Sequence, residues 1–263
     1  MQGAAPFWGA KNCMCTIAFL IGVVDGASLV IGANRDELFA RTARPPEVLR
    51  ESPRVVGGVD VLSGGTWLAV RRDGRFAAVT NQRALAPVPP GLRSRGHAVA
   101  ELVAADDPEA YVAALEPARY ASMNLAWGDA RGAAIAYVRR ESPAIEIERL
   151  APGIHVLTND RLRAPGYPRG ERLAAQLAAS PLRWPDVAGT LATHLADHTR
   201  TVPPPSHLPP EIARELTATC IHAEHYGTRS STILAADGDR LIGYRHADGP
   251  PCVTPYRDHL ELV

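Results

Sequence analysis

Turn dipeptides recurring between short apolar runs constrain this chain more than any other feature. Asp25-Gly26 separates apolar runs at 16–24 and 27–33, and Asp73-Gly74 separates 67–71 from 76–80. A turn at 129–132 lies between 124–127 and 133–138, and Asp237-Gly238-Asp239 lies between 231–235 and 240–244. Asp-Gly supplies the positive φ that a tight hairpin needs, so each segment predicts two antiparallel strands. Two more short strands, 145–150 and 154–157, flank Pro152-Gly153. Helical spacing of apolar residues appears at 97–105, 110–115, 170–179 and 187–198, with Asp186 placed to cap the last. A short helix at 211–217 follows a proline-rich loop at 203–210. These elements predict a layered α+β domain rich in antiparallel hairpins.

The chain has 263 residues, enough for one large domain or two small ones at roughly 150 residues per domain. No repeat or low-complexity linker divides it. Residues 14–263 therefore read as a single domain, and 1–13 as an extension produced by an upstream start or removed by processing. Hydrophobic residues at 46% and charged residues at 21% are ordinary globular values. Lys and Arg (28) balance Asp and Glu (28), which argues against a broad nucleic-acid surface. The longest apolar run, 17–24, falls well short of the ~20 residues of a membrane span. The first residues lack a basic segment leading into an apolar one, so a cytoplasmic protein is expected. Cys13, Cys15, Cys220 and Cys252 form neither a disulfide framework nor a paired zinc motif by spacing.

Met14-Cys15-Thr16 runs directly into the first strand. Removal of Met14 would make Cys15 the first residue, with nucleophile and base in one amino acid. An α-amine of pKa about 7.7–8.0 can accept the proton of a thiol whose reference value is about 8.5. Taken alone, Cys15 reads first as a buried strand cysteine, the commonest place for a free thiol. Polar clusters lie at other strand ends: Asn34-Arg35-Asp36-Glu37, Thr80-Asn81 and Thr158-Asn159-Asp160 follow strands, and Tyr226-Gly227-Thr228-Arg229 opens the last hairpin. Each fits a turn; together they repeatedly place Asn, Asp and Arg at expected strand ends.

These segments resemble the NRDE family, which includes the transport and Golgi organisation protein 2 homologues. The matching pieces are MCTIAF (14–19), NRDE (34–37), GGTWLAV (64–70), GRFAAVTN (74–81), SRG (94–96), GIHVLTND (153–160) and YGTRSST (226–232). That family in turn resembles the N-terminal-nucleophile hydrolases of the choloylglycine hydrolase and penicillin V acylase type. The resemblance implies a four-layer αββα sandwich and amide hydrolysis by an N-terminal Cys. It assigns Cys15 as nucleophile and Asp36 as the group that positions its amine and thiol. It also implies Asn81 and Asn159 as oxyanion donors and Arg229 as electrostatic support. Asn34, Arg35, Glu37, Trp67 and Tyr226, within the same segments, are the expected substrate-binding groups. Those acylases usually carry an Arg three residues before the Asp; here Ala33 stands there, with Arg35 expected on the opposite face of the strand.

The expected activity is hydrolysis of an amide in a small acylated molecule, without cofactor. The alternative is a non-catalytic binding or trafficking protein for haem or a lipid metabolite, with His97, His155, His222 or His225 as candidate haem ligands. Cys220, His222, Glu224 and His225, with His207 upstream, have metal-ligating side chains but match no closed zinc spacing, so no metal is expected and the pocket rim is their assigned place. Glycines at 57–58 and 64–65 fit no phosphate loop. The arginines among residues 161–172 read as a solvated face.

Overall fold

The computed structural model describes residues 15–82, 88–206 and 208–263; the extension 1–13, Met14 and His207 lie outside them. The strands nearest the amino terminus are β1 (Thr16–Val24), β2 (Ala27–Leu38), β3 (Ala43–Glu51), β4 (Arg54–Asp60), β5 (Leu68–Val70) and β6 (Phe76–Asn81). Helices α1 (Arg95–Ala104) and α2 (Pro108–Ala113) come next. Strands β7 (Met123–Asp129), β8 (Gly132–Val138), β9 (Glu146–Leu150) and β10 (Gly153–Leu157) then lead to α3 (Pro168–Ala178), α4 (Val187–Leu195) and α5 (Pro210–Glu215). The chain closes with β11 (Tyr226–Asp237), β12 (Arg240–Ala247) and β13 (Arg257–Asp258).

The strands make two antiparallel sheets, in the orders β10-β1-β2-β11-β12-β13 and β3-β4-β5-β6-β7-β8-β9. Alternation along β1 and β2 turns Ile17, Phe19, Ile21, Leu29 and Ile31 toward Val56, Leu68, Val70 and Phe76 of the other sheet. The opposite faces are apolar as well. Ala18, Leu20 and Val30 pack against Leu173, Leu177, Leu191 and Leu195 of α3 and α4. Ala69, Ala77 and Leu125 pack against Val99, Leu102 and Val112 of α1 and α2. The four-layer αββα sandwich follows from these three apolar interfaces.

The hairpins at Asp25-Gly26, Asp73-Gly74, 129–132 and 237–239 form as their turn residues predict, Gly26, Gly74 and Gly238 taking positive φ. The Pro152-Gly153 turn instead crosses between sheets: β9 pairs with β8 and β10 with β1. Strand β3 carries Pro45-Pro46 and polar alternation, which conceals it as a strand; it is tolerated because it lies at a sheet edge and bulges between Arg44 and Glu47. Asp186 occupies the N-cap position of α4 without a side-chain capping bond.

Two glycines let backbones touch beside the site. A Cβ on Gly65 would lie 2.5 Å from the Gly96 carbonyl carbon, and one on Gly96 would lie 2.8 Å from Thr66 N. Gly65→Ala or Gly96→Ala should therefore lower unfolding free energy by about 1–3 kcal/mol in urea titrations. Gly189→Ala is the control. An added Cβ in α4 would have nothing within 4 Å, and this change should be neutral or stabilising by up to about 1 kcal/mol.

Candidate active site

The run Asn34-Arg35-Asp36-Glu37 does not end its strand. Strand β2 continues to Leu38 because β11 pairs along it, with Ser231 opposite Asn34, Ser230 opposite Arg35 and Thr228 opposite Asp36. All four residues are buried. Strand alternation then divides them between two layers. Arg35 and Glu37 face the space between the sheets, where Cys15, Trp67 and Asn81 also line a cavity of about 230 Å³. Asn34 and Asp36 face the helices. Arg35 is thus on the same face as Ala33, two residues before it, correcting the expectation that it lay opposite. It supplies a cation close to where Ala33 left one missing.

Cys15 is 7% exposed and enters β1 next to Arg35. Burial pushes its thiol up to about 12, the negative charge of Asp36 adding to the effect. A backbone hydrogen bond from Asp36 and the charge of Arg35 oppose the rise. Arg35 reaches Asp60 Oδ2 at 3.3 Å and Glu37 Oε2 at 3.9 Å. Its Nη1 is buried with no hydrogen-bond partner among the described residues. Arg41 completes the wall, donating through Nε to Asp60 Oδ2 at 2.6 Å and through Nη2 to Ser63 Oγ at 2.8 Å.

Asp36 is wholly buried, and burial pushes its carboxyl up to about 7 against the pull of Arg169 and of a hydrogen bond from Thr228. Thr228 Oγ1 donates to Asp36 Oδ1 at 2.7 Å. Asp36 Oδ2 has no hydrogen-bond partner among the described residues. Arg169, 1% exposed, donates to Asn159 Oδ1 and Leu216 O, both at 3.1 Å. It corrects the solvated-face reading of its segment. Arg169, Leu173 and Leu177 recur at four-residue spacing and form the buried stripe of α3, a signal that periodicity carried.

The two candidate asparagines meet across the sheets. Asn81 ends β6 and lines the cavity, while Asn159 follows β10 and donates through Nδ2 to Asn81 O at 2.8 Å. Beside them Thr80 Oγ1 donates to Thr158 O at 2.6 Å, and Asn124 Nδ2 donates to Thr80 Oγ1 and Asp160 O, both at 2.9 Å.

Three expected site residues lie elsewhere. Arg229 occupies the bulge between Thr228 and Ser230, which directs its guanidinium over the Phe39 ring at 5.9 Å rather than into the cavity wall. Asn34 donates to Leu195 O and Thr219 O, both at 2.9 Å, tying the end of α4 to β2. Tyr226 is buried against Leu216 and Ile221. Cys220 and His222 precede β11 as expected but do not line this cavity; they gather with His198 and Cys252.

The four-layer αββα sandwich of two antiparallel sheets is the N-terminal-nucleophile hydrolase fold. The Caenorhabditis elegans N-acylethanolamine-hydrolyzing acid amidase (NAAA) ortholog shares it with a TM-score of 0.54, covering 84% of this chain and 92% of that one at 12% identity. The profile of the Transport and Golgi organisation 2 family matches residues 14–245, and the chain belongs to that family. The Transport and Golgi organization protein 2 homolog of Bos taurus is 30% identical over 238 residues, covering 82% of this chain and 84% of that protein. The Homo sapiens homolog is 27% identical over 240 residues, with the same coverage. Among the described residues no helix is long and apolar enough to cross a membrane.

The raised carboxyl of Asp36 has a direct consequence for stability. Its folded value, about 7, lies above its ordinary 3.8, so its stabilising contribution is complete below about pH 4 and is lost as pH rises through 7. Asp36→Asn removes that dependence. Relative to the parent, the variant should gain stability between pH 4 and pH 8, by about 2–4 kcal/mol in total. Parallel urea titrations across that range would measure the difference.

Proposed function

We propose that this protein is a cysteine amidohydrolase that acts from a free amino terminus at Cys15 on a small acylated molecule. The observation that carries the reading is the buried Oδ2 of Asp36, without a hydrogen-bond partner among the described residues, beside the strand that Cys15 enters. A backbone nitrogen lies in the plane of its sheet. In this reading an α-amine at Cys15 meets the Asp36 carboxylate on one face, with the Cys15 side chain toward the cavity on the other. The match to the family profile beginning at Met14, one residue before the nucleophile, supports the same terminus.

In the chain that continues through Met14, Cys15 nitrogen is an amide and the thiol has no base. With the terminus freed, the amine takes the proton of Sγ, and the thiolate attacks the amide carbonyl. Asn81, with Asn159 held against its carbonyl, donates to the developing oxyanion. The protonated amine then gives its proton to the departing nitrogen, and the amine-activated water hydrolyses the thioester. Arg35 takes the electrostatic role expected of Arg229, because it stands beside Cys15 and lowers its thiol value. The cavity suits a small group with a polar or anionic end, since Arg35, Arg41, Arg93 and Arg95 line it against Glu37 and Asp60.

The haem-binding alternative has no comparable support. Among the described residues lining the cavity there is no histidine, His155 Nε2 lies 2.7 Å from Ala151 O, and His222 contacts two thiols.

A chain released with Cys15 as its first residue should be alkylated by iodoacetamide at Cys15 near neutral pH. The chain retaining 1–14 should resist alkylation there. The released form should hydrolyse members of an N-acyl amide panel, and Cys15→Ala should abolish turnover. Asn81→Ala should lower kcat about 10²–10³-fold. Equal hydrolysis by the parent and Cys15→Ala would overturn the proposal.

A further inference from the structure

Four metal-ligating side chains converge outside the cavity. His198 follows α4, Cys220 and His222 precede β11, and Cys252 lies between β12 and β13. One ligand atom from each lies within 4.8 Å of all the others. Cys220 Sγ is 3.7 Å from Cys252 Sγ, and His222 Nε2 is 3.5 Å from Cys220 Sγ and 3.2 Å from Cys252 Sγ. Tetrahedral zinc, with bonds of about 2.3 Å to sulfur and 2.0–2.1 Å to nitrogen, separates two sulfurs by about 3.8 Å and a sulfur from a nitrogen by about 3.6 Å. The side chains already stand close to those separations. The His198 and His222 rings lie 4.9 Å apart between centroids, tilted at 54°. His198 Nδ1 is 3.1 Å from the Cys220 carbonyl oxygen, the backbone contact that fixes a ligating imidazole and presents Nε2 to a metal.

We propose that His198, Cys220, His222 and Cys252 form a closed tetrahedral site for a soft divalent cation, zinc by preference. Two thiolates and two neutral imidazoles balance the +2 charge. Binding one cation releases the two thiol protons, and no oxidant or reductant enters. Four protein ligands leave no open position, so the metal is structural. It ties the segment after β12 to the loop after α4 and to the turn before β11. That turn also reaches the nucleophile's carboxylate: Ile221 N donates to Thr228 Oγ1 at 2.9 Å, and the same hydroxyl donates to Asp36 Oδ1 at 2.7 Å. The bound metal therefore braces the hydroxyl that holds Asp36.

The sequence spacing conceals the site because its ligands are distributed as one His, a Cys-x-His pair and one distant Cys. No pair has the two-residue gap of familiar zinc motifs.

The test uses the full chain purified without chelator or added metal, with metal content measured by plasma mass spectrometry. About one zinc per chain is expected, retained through gel filtration. Cys252→Ser and His198→Asn, neither of which touches the Cys15 cavity, should each lower retention at least about tenfold. After removal of zinc, Co²⁺ should give the visible bands of a tetrahedral thiolate site in the parent and lose them in Cys252→Ser. Chelation should lower the Tm of the parent and leave that of Cys252→Ser unmoved. Absence of both zinc and the Co²⁺ bands from a folded parent with reduced thiols would overturn the proposal. A Cys220–Cys252 disulfide found by mass in protein kept anaerobic would overturn it as well. None of these readings depends on hydrolysis, so the site stands or falls separately from the reaction at Cys15.

Discussion

A carboxylate taken wholly out of water has to be compensated, and the surroundings of Asp36 show how this fold does it. Strand β11 covers β2 and delivers the Thr228 hydroxyl to one oxygen. Helix α3 brings Arg169, a buried guanidinium, within range of its charge. Those partners leave Oδ2 unmatched, and an uncompensated buried oxygen costs free energy that a cationic amine beside it would recover. The same accounting explains Asn34, which donates its amide to the last carbonyl of α4, Leu195 O, and to Thr219 O in the loop. Polar residues inside β2 thereby bear on the helical layer as well as on Cys15.

The sandwich is joined across its middle by apolar packing and, at the end holding the site, by polar contacts. Thr80, Asn81 and Asn124 of one sheet bond to Thr158, Asn159 and Asp160, which follow β10 of the other. This seam fixes Asn81 opposite Cys15, and Arg169 holds the far side of Asn159. One buried arginine thus bears on both the carboxylate and the asparagine pair. On the cavity side, Arg35, Glu37, Arg41 and Asp60 form a largely shielded ion network in which each charge faces an opposite one.

Much of this was legible from local patterns. Asp-Gly turns with apolar flanks located six strands as hairpins and the turn at 129–132 two more, since loop chemistry acts over a few residues. Family motifs placed Cys15, Arg35, Glu37, Trp67 and Asn81 in one neighbourhood, where the fold gathers them. Other residues lie where local patterns did not place them, for definite reasons. The polar run 34–37 resembled a strand end because burial of four polar residues depends on a partner strand almost two hundred residues away. Arg229 carried the family pattern, yet a bulge directs it onto Phe39. Arg169 sat in a segment of arginines that read as a solvated face, although helical spacing aligned it with Leu173 and Leu177.

The amino-acid sequence by itself determined the hairpins, the amphipathic helices, the αββα class through its motifs, and a cysteine poised at the head of a strand. These depend on neighbours in the chain, whose geometry backbone sterics and side-chain period dictate. Only the tertiary structure decided which face each polar residue of β2 takes, which arginine stands by Cys15, and that His198, Cys220, His222 and Cys252 share one point. Those outcomes depend on contacts between segments distant along the chain, and long-range pairing of strands and helices sets them.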